Sequence, residues 1–321
     1  MPMRVQHRRM VRRMRPRFVR TTSMSNLDTY TTDDAAGEMW TMMLGDSVER
    51  LAELNTSSVD LSVYSPPFAS LFTYSPSLRD LGNSSSRDEF IDHYSFIIRE
   101  VLRVTKPGRL SCVHVQQLTT SKSMHGVTGL SDFRGEVIRA HQAAGWTFHG
   151  EVTVNKDPQA QAIRTKAHAL MFVTKNRDSS GTRPGLADYL LLFRKPGDNA
   201  VPIKTDVSNE EWIEWAQPVW MDIRETNTLN GRSARSAEDE KHICPLQLDF
   251  IERCVRLWSN PDELVLSPFA GIGSEGWVSV LNRRRFIGCE LKPSYWSTAC
   301  DYLAEAEREV SAPDLFTEVE A

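Results

Sequence analysis

The feature that most limits the fold of this chain is a strand that runs into a glycine turn and then into a helix. Leu264-Val265-Leu266-Ser267 reads as a buried strand, and Pro268-Phe269-Ala270-Gly271-Ile272-Gly273 follows it. Glycines let the backbone approach a ligand closely, and a helix N-terminus supplies N–H groups. About twenty residues later a second strand ends at Glu290, where an acidic side chain holds ribose hydroxyls in dinucleotide-binding folds. The layout indicates a nucleoside cofactor.

Short apolar runs and amphipathic stretches alternate along the rest of the chain, which is typical of an α/β protein. The segment 21–38 predicts a flexible lead-in, and 197–240 contains three tryptophans but no clear βα unit. The predicted strands are 59–64, 110–115, 146–154, 189–193, 263–266 and 286–291, and the predicted helices are 90–105, 136–144, 246–258 and 276–281.

Composition excludes several classes of protein. The 321 residues are 40% hydrophobic and 25% charged, as in an ordinary globular protein of one large domain or a domain with an insertion. No apolar run approaches the roughly 18 residues of a membrane span. The five cysteines lack C-x-x-C spacing, which predicts reduced thiols, a cytoplasmic protein and no metal site.

The amino terminus is strongly basic although the whole chain carries a net charge of -4. Eight arginines and no acidic residue occur in the first twenty positions. Three interpretations stay open: a DNA-binding arm, an arginine-rich targeting peptide, and translation from a start codon upstream of Met24. A run of like charge also predicts a disordered tail, which we place at residues 1–40.

Ser65-Pro66-Pro67-Phe68 follows directly on the predicted strand 59–64. Two prolines stiffen the loop and leave the Pro66 carbonyl without a local N–H competitor. An aromatic amine is a poor nucleophile because its lone pair is delocalised into the ring. A hydroxyl and a rigid carbonyl that accept both N–H protons would release that lone pair for methyl transfer, and Phe68 would stack on an extruded base. Alone, the tetrapeptide also fits a plain polyproline turn.

Together the two segments resemble motifs IV and I of the DNA amino-methyltransferases, in the order of the beta-type members. Three further segments are similar to the opening segment, motif X and the closing segment of that family: Leu44-Gly45-Asp46-Ser47, His242-Ile243-Cys244-Pro245-Leu246-Gln247 and Arg285-Phe286-Ile287-Gly288-Cys289-Glu290. The resemblance spans most of residues 42–303. In two places the chain departs from the pattern: Ser267 stands where motif I commonly has Asp, and Ile243-Cys244 displaces the motif X proline.

The resemblance implies a doubly wound mixed sheet, the Rossmann-like fold of S-adenosylmethionine-dependent methyltransferases, with an inserted target-recognition region. It implies S-adenosylmethionine as the cofactor, with the Phe269 ring against its adenine. The implied catalytic residues are Ser65, Pro66, Pro67 and Phe68. The implied cofactor-binding residues are Asp46, Cys244, Gln247, Pro268, Phe269, Gly271, Gly273 and Glu290.

The target atom depends on one residue. Within the family, Ser before Pro-Pro is associated mainly with cytosine N4, and Asp or Asn with adenine N6, so Ser65 predicts cytosine N4. Carbon-5 methylation fits poorly because it needs a thiolate in a Pro-Cys dipeptide, whereas this chain has Cys244-Pro245. Adenine N6, RNA methylation and a catalytically silent DNA-binding relative stay as alternatives. Gly271, Gly273 and Gly276 also fit a dinucleotide oxidoreductase, which gives the tetrapeptide no role.

The beta-type order divides the chain into a catalytic half at 41–154, a target-recognition region at 155–240, a cofactor-binding half at 241–310 and a tail at 311–321. DNA is the implied partner, and no membrane is involved. A homodimer and a cognate restriction endonuclease stay open, in a prokaryotic or phage-encoded system. The predicted DNA contacts are Tyr74, Arg79, Lys156, Arg164 and Lys166.

Overall fold

The structure, a computed structural model, describes residues 31–67, 86–120, 126–159, 182–230 and 245–312, together with Ser84, Lys122, Gln161 and Ser180. The strands are β1 (Asp33–Ala36), β2 (Trp40–Leu44), β3 (Val59–Tyr64), β4 (Thr105–Gln116), β5 (Leu118–Thr120), β6 (Gly129–Ser131), β7 (Thr147–Val154), β8 (Asp188–Arg194), β9 (Val219–Trp220), β10 (Leu264–Ser267) and β11 (Arg285–Glu290). The helices are α1 (Ser47–Ala52), α2 (Arg87–Val104), α3 (Phe133–Ala143), α4 (Asn209–Trp215), α5 (Leu248–Trp258), α6 (Ser274–Leu281) and α7 (Pro293–Ser311).

Nine strands of the described chain form one mixed sheet in the order β1-β2-β11-β10-β3-β4-β8-β7-β9, and β5 pairs with β6 separately. The central strands β2, β11, β10, β3 and β4 are parallel, whereas β8 runs antiparallel to β4 and β7 antiparallel to β8. The chain leaves β10 towards β11 but leaves β3 towards β4. The winding therefore reverses between β10 and β3, and ligands bind at such a point beyond the carboxyl ends of the strands.

Helices cover both faces of this sheet, and the side chains of β3 pack against the helices on both sides. All six residues of β3 are buried. Successive side chains of a strand point to opposite faces, so Leu61 and Val63 join the layer with α5, α6 and α7, whereas Tyr64 joins the layer with α1, α2 and α3. A continuous buried run is what a parallel strand covered on both faces requires. The predicted doubly wound α/β fold is confirmed.

Each predicted strand and helix is present, and β3 has the predicted bounds. The largest shift is at β4, which begins at Thr105 rather than at Leu110. Lys106-Pro107-Gly108 end α2 as predicted, but their backbone continues as an extended strand. The N–H of Gly108 donates to the carbonyl of Lys195 at 3.0 Å, which holds this early part of the strand in place.

The structure corrects the sequence-based expectation in two places. Residues 33–36, predicted as part of a flexible tail, form β1, because their backbone pairs antiparallel with β2 although Asp and Ala are poor strand formers. The segment 197–240 contains α4, which opens with a capping box of Ser208 and Glu211. The strand predicted at 189–193 is present as β8, between β4 and β7 in the sheet.

The described residues contain neither a membrane-spanning helix nor a cluster of metal ligands. None of the described helices is long and apolar enough to cross a membrane. No group of three His, Cys, Asp or Glu side chains in the described ranges is arranged to hold a metal ion. Cys112, Cys254 and Cys289 are buried thiols, and Cys300 is a partly buried one.

Candidate active site

The predicted site segments converge at the carboxyl ends of the parallel strands. The glycine turn follows β10, Glu290 ends β11, Asp46 follows β2, and Ser65 follows β3. β10 and β3 are neighbours in the sheet although 200 residues separate Tyr64 from Leu264. The reversal point of the sheet therefore brings together the tetrapeptide and the glycine turn, which lie about 200 residues apart along the chain.

The glycine turn has the backbone conformation that its sequence predicts. Gly271 and Gly273 have φ values of +53° and +88°, in the left-handed region that favours glycine. The N–H of Ala270 donates to the carbonyl of Cys289 at 2.9 Å, which ties the turn to β11. A Cβ atom built on Gly271 meets no atom of the described residues within 4 Å, so this side of the turn is open among them. A Cβ atom on Gly273 would lie 3.0 Å from Cβ of Ala299.

The Glu290 carboxylate is fixed against this turn by two backbone N–H groups. Oε2 accepts from the N–H of Gly271 at 2.9 Å, and Oε1 accepts from the N–H of Lys292 at 2.8 Å. Each carboxylate oxygen has a second lone-pair direction with which it can accept another hydrogen bond. An acidic group is thus presented, in a set orientation, beside the open side of Gly271.

The opening segment completes this half of the site. The N–H of Gly45 donates to the carbonyl of Glu290 at 2.9 Å, and the hydroxyl of Ser47 donates to the carbonyl of Pro268 at 2.5 Å. Asp46 is the N-cap of α1, where its side chain accepts from the N–H of Val48 at 2.8 Å. Asp46, Pro268 and Glu290, predicted from separate segments, therefore lie together.

Phe269 is partly buried and packs on two tyrosines beneath the site. Its ring centroid lies 5.8 Å from that of Tyr64 and 6.2 Å from that of Tyr94. The Tyr94 hydroxyl donates to the Tyr64 hydroxyl at 3.2 Å, and the Tyr64 hydroxyl lies 3.4 Å from Nε2 of His141. Burial raises the pKa of Tyr64 to about 12 and lowers the pKa of His141 to about 3, so this supporting layer is uncharged at neutral pH.

Glu275, in the first turn of α6, is a buried carboxyl that the sequence did not indicate. It is 5% exposed, and its pKa is raised to about 8, first by burial and then by the negative charge of Glu290. Nearby, the hydroxyl of Ser267 is buried and has no hydrogen-bond partner among the described residues. The junction of β10 and α6 therefore contains more buried polar groups than its pattern predicts.

On the other side of the reversal point, the Ser65 hydroxyl contacts a histidine of the adjacent strand. Its Oγ lies 3.2 Å from Nδ1 of His114 and 3.3 Å from the carbonyl oxygen of the same residue. Pro66 is buried and Pro67 partly buried, which fixes the loop that carries Ser65. Phe68 lies outside the described residues.

His114 is in turn held by an acidic group on β8. Its Nε2 lies 3.0 Å from Oδ2 of Asp188, and Nζ of Lys156 lies 2.7 Å from the same oxygen. Nε2 of Gln116 donates to the other oxygen of Asp188 at 2.8 Å. Burial by itself would raise the pKa of Asp188, but His114 and Lys156 lower it overall, so the carboxylate is ionised.

His114, Asp188 and Gln116 were missed by the sequence reading, although a usable signal existed. Side chains two residues apart share a face of a strand, and Val63, Cys112, Leu190 and Val154 lie in one core layer. The residues two positions further towards the site edge are Ser65, His114, Asp188 and Lys156. Strand order was needed to recognise that these four positions are neighbours.

The remaining predicted site residues fall into three groups. Gln247 is the N-cap of α5, with no side-chain cap hydrogen bond. Lys156, predicted as a DNA contact, is corrected: its side chain is 3% exposed and paired with Asp188, so it does not lie on a surface that meets phosphates. The others lie outside the described residues: Phe68, Tyr74, Arg79, Arg164, Lys166 and Cys244.

Comparison with known proteins decides the family. The sequence model of the DNA methylases that modify N6 or N4 matches residues 59–301, which include Ser65, the glycine turn and Glu290. The chain belongs to this N6/N4 DNA methylase family. Its members transfer a methyl group to DNA, and the methyl donor is S-adenosylmethionine.

Curated relatives of this N6/N4 methylase cover most of its length. The type II methyltransferase M1.MboII of Moraxella bovis is 26% identical over 281 residues, which are 80% of this chain and 94% of that protein. The DNA adenine methyltransferase YhdJ of Escherichia coli K12 is 22% identical over 262 residues, 80% of each chain. The match to beta-type DNA amino-methyltransferases is thereby confirmed, and type II modification enzymes are among the relatives.

Solved structures agree on the fold of the methylase. PvuII DNA methyltransferase, described as cytosine-N4-specific, superposes with a TM-score of 0.60 at 19% identity and covers 88% of this chain and 93% of its own. TTHA0409 of Thermus thermophilus, complexed with S-adenosyl-L-methionine, gives a TM-score of 0.61 at 22% identity and covers 82% and 94%. At these identities the likeness establishes the Rossmann-like architecture.

The residues around the glycine turn suit this methyl donor. S-adenosylmethionine contains a ribose, an adenine ring and a positively charged sulfonium. The open side of Gly271, the oriented carboxylate of Glu290 and the N-terminus of α6 provide close backbone approach, a hydrogen-bond acceptor and N–H groups. The chemistry of these donors and acceptors therefore matches the donor's parts.

Proposed function

We propose that this methylase transfers the methyl group to N4 of a cytosine that is flipped out of duplex DNA. The observation that carries the proposal is the group at the start of the Pro-Pro loop, which is the hydroxyl of Ser65 and not a carboxylate. That hydroxyl is held 3.2 Å from Nδ1 of His114. Within the family, Ser before Pro-Pro is associated mainly with cytosine N4, and Ser65 follows this pattern.

The chain's own groups would activate the amine in two ways. The Ser65 oxygen and the carbonyl of Pro66 would accept the two N–H protons, which frees the nitrogen lone pair for attack. Holding the nucleophile in line replaces a bimolecular encounter by a positioned one. Flipping is required because the edge of a stacked base cannot reach this edge of the sheet.

On the cofactor side we propose that Glu290 accepts the ribose hydroxyls, Phe269 faces the adenine ring, and the N–H groups of the Gly271–Gly273 turn meet the polar end of the donor. Asp46 would complete this pocket. When bound, S-adenosylmethionine supplies a methyl group on a positively charged sulfur. The fixed carboxylate of Glu290 supports this arrangement, since its orientation is set before ligand arrives.

DNA recognition is assigned more coarsely. We propose that the region 155–240 reads the target sequence, because its described residues Lys156 and Asp188 are linked to Ser65 through His114. Tyr74, Arg79, Arg164 and Lys166 stay predictions as DNA contacts. A homodimer and a cognate endonuclease stay open, as do a cytoplasmic location and the division of the chain at residues 41, 155, 241 and 311.

The test is incubation with methyl-labelled S-adenosylmethionine and unmethylated genomic DNA, followed by digestion to nucleosides and mass spectrometry. N4-methylcytosine is the expected product. The Ser65→Ala variant should lose about 10²-fold or more of the rate and keep its affinity for S-adenosylmethionine. Ser95→Ala is the matched control and should keep full activity; it removes a hydroxyl of α2 that donates to the carbonyl of Asp92 in the same helix.

Adenine N6 is the second candidate, and one observation favours it: a relative that covers 80% of this chain is named an adenine methyltransferase. The same experiment separates the two targets. N6-methyladenine as the sole product would overturn the cytosine proposal and keep the site. Label in RNA and not in DNA would overturn the proposal of a DNA target.

A further inference from the structure

His114 and Asp188 lie behind Ser65, and amino methylation needs a proton acceptor at such a place. Methyl transfer to an exocyclic amine leaves the nitrogen with a surplus proton, and a serine hydroxyl is by itself a very weak proton acceptor. We propose that His114, oriented by Asp188, accepts this proton through Ser65. The proposal rests on the amino-group chemistry of the proposed function but not on the choice between cytosine and adenine.

The hydrogen-bond network assigns the protons of the resting state. Nε2 of His114 lies 3.0 Å from an oxygen of the Asp188 carboxylate, which can only accept, so we assign the hydrogen of the neutral ring to Nε2. In a neutral imidazole the other nitrogen is then an acceptor. That nitrogen, Nδ1, lies 3.2 Å from the Ser65 oxygen and accepts its hydroxyl proton. The lone pairs of the Ser65 oxygen are left for the incoming amine.

The surroundings keep this imidazole in one orientation. His114 is 7% exposed, and the Phe250 ring of α5 packs against it edge-on with centroids 5.2 Å apart. Asp188 is 4% exposed and is itself fixed by Lys156 and by Gln116. Ser65 is the partly buried member of the series, at the edge of the sheet. The network therefore leads from the site inward.

Two charged groups lie behind the imidazole of His114. The Asp188 carboxylate is 3.0 Å from Nε2, and the Lys156 ammonium is 2.7 Å from the same carboxylate oxygen. Lys156 therefore holds the carboxylate in place beside the ring. In the proposed reaction Asp188 stabilises the imidazolium that forms.

The protons and electrons balance within the site and the two substrates. The amine nitrogen forms a bond to the methyl carbon with its lone pair, and the carbon–sulfur bond breaks with its electron pair left on sulfur. One amine proton passes to the Ser65 oxygen as the hydroxyl proton of Ser65 passes to Nδ1 of His114. The new hydroxyl proton of Ser65 has an acceptor at 3.3 Å, the carbonyl oxygen of His114. His114 later returns its proton to solvent.

His114 and Asp188 act through Ser65 and are positioning residues, so their test uses variants that change proton chemistry with little change in shape. His114→Gln keeps an acceptor near Ser65 but cannot take up a proton. We expect single-turnover methyl transfer to fall by about 10²–10⁴-fold, with an unchanged melting temperature and unchanged affinity for S-adenosylmethionine. His93→Gln, on the exposed side of α2, is the matched control and should leave the rate unchanged. A loss under threefold in a folded His114→Gln protein would overturn the proposal.

The pH profile and an activity-independent measurement extend the test. The pH dependence of the rate should differ in shape between the wild type and His114→Gln, because only the wild type has a proton acceptor behind Ser65. Nitrogen-15 spectra of histidine-labelled apo protein should show the His114 tautomer with the hydrogen on Nε2, lost in Asp188→Asn. The opposite tautomer in the wild type, or identical pH profiles, contradicts the assignment.

These experiments distinguish a failure of the His114 proposal from a failure of the cytosine proposal. If the product is N6-methyladenine, the cytosine proposal fails and the rate and pH comparisons stand unchanged. If the wild type labels neither base, the proposed function fails, while the tautomer measurement still decides whether His114 is oriented as a proton acceptor.

Discussion

Oε2 of Glu290 lies 2.9 Å from the backbone nitrogen of Gly271, so the last side chain of β11 fixes the turn that follows β10. The second oxygen of the same carboxylate accepts from the N–H of Lys292 at 2.8 Å. Two adjacent parallel strands are thus joined at the edge of the sheet where we propose that the methyl donor binds. The orientation of the carboxylate is fixed before a ligand binds, which lowers the entropy cost of binding.

We predict that Glu290→Ala weakens the binding of S-adenosylmethionine at least about tenfold, because a hydrogen bond to a charged group contributes about 1.5–3 kcal/mol. Calorimetric titration of the protein without DNA measures this directly. Glu309→Ala, on the exposed side of α7, is the matched control and should bind like the wild type. Equal affinity of both variants would remove Glu290 from the ribose site.

Two glycines near the turn should respond to alanine in opposite ways. Gly271→Ala should impair binding of the donor at a cost of only about 1–2 kcal/mol of stability, since its φ is +53° and its Cβ would enter open space. Gly276→Ala should destabilise the fold by about 1–3 kcal/mol, since its Cβ would lie 2.5 Å from Cδ1 of Phe286. Donor titration and urea unfolding of both variants check the contrast. If Gly276→Ala impaired binding alone, the packing account of that glycine would be wrong.

Local patterns predicted much of this molecule and failed where distant segments meet. The strand β3, the glycine turn and Glu290 could be read from the sequence because each depends on a few neighbouring residues. His114 could not be linked to Ser65, since their contact depends on β3 and β4 being adjacent and on which face each side chain takes. Lys156 illustrates the converse. A lysine among polar residues suggested a surface that faces DNA. The alternation of β7, however, directs the Lys156 side chain to the buried face of the sheet, where it pairs with the carboxylate of Asp188.

The buried carboxyl of Glu275 makes stability depend on pH. Its pKa is raised from 4.5 to about 8 in the folded protein, first by burial and then by the charge of Glu290. The folded state therefore binds the proton more tightly than the unfolded state does. This contribution is fully present below about pH 4.5 and is lost as the pH rises through about 8.

We predict that Glu275→Gln becomes more stable than the wild type as the pH rises from about 5 to about 8.5. The difference should grow by up to about 1.4 kcal/mol for each unit by which the folded pKa exceeds the unfolded one. Urea unfolding at a series of pH values measures it. Glu305→Gln, exposed on α7, should follow the wild type at every pH. Parallel curves for Glu275→Gln and the wild type would contradict the buried-carboxyl account.

Arg284 is the buried charge on which the loop between α6 and β11 depends. Its guanidinium is fully buried, donates from Nη2 to the carbonyl of Ser259 at 2.8 Å and from Nη1 to Asp206 at 2.7 Å. Arg284→Met would remove both hydrogen bonds, although Arg256 still lies 3.5 Å from Asp206, and we predict a loss of about 1–3 kcal/mol of stability. Arg283→Met, at the exposed neighbouring position, should change stability by less than about 0.5 kcal/mol. Thermal and urea unfolding of the pair will show whether the difference exists.

The pairing of β2 with β11 has a consequence for how the chain must be made. Leu44 lies opposite Glu290 in the finished sheet, so about 240 residues are synthesised between the two neighbours. At about 5–20 residues per second a ribosome needs roughly 10–50 s for that interval. Throughout it, β2 and β3 have bare hydrogen-bonding edges that no upstream strand can cover, and such edges invite pairing with other chains. A sheet whose centre is closed by its last strands is completed late, and these edges stay exposed in the nascent chain until β10 and β11 have been synthesised.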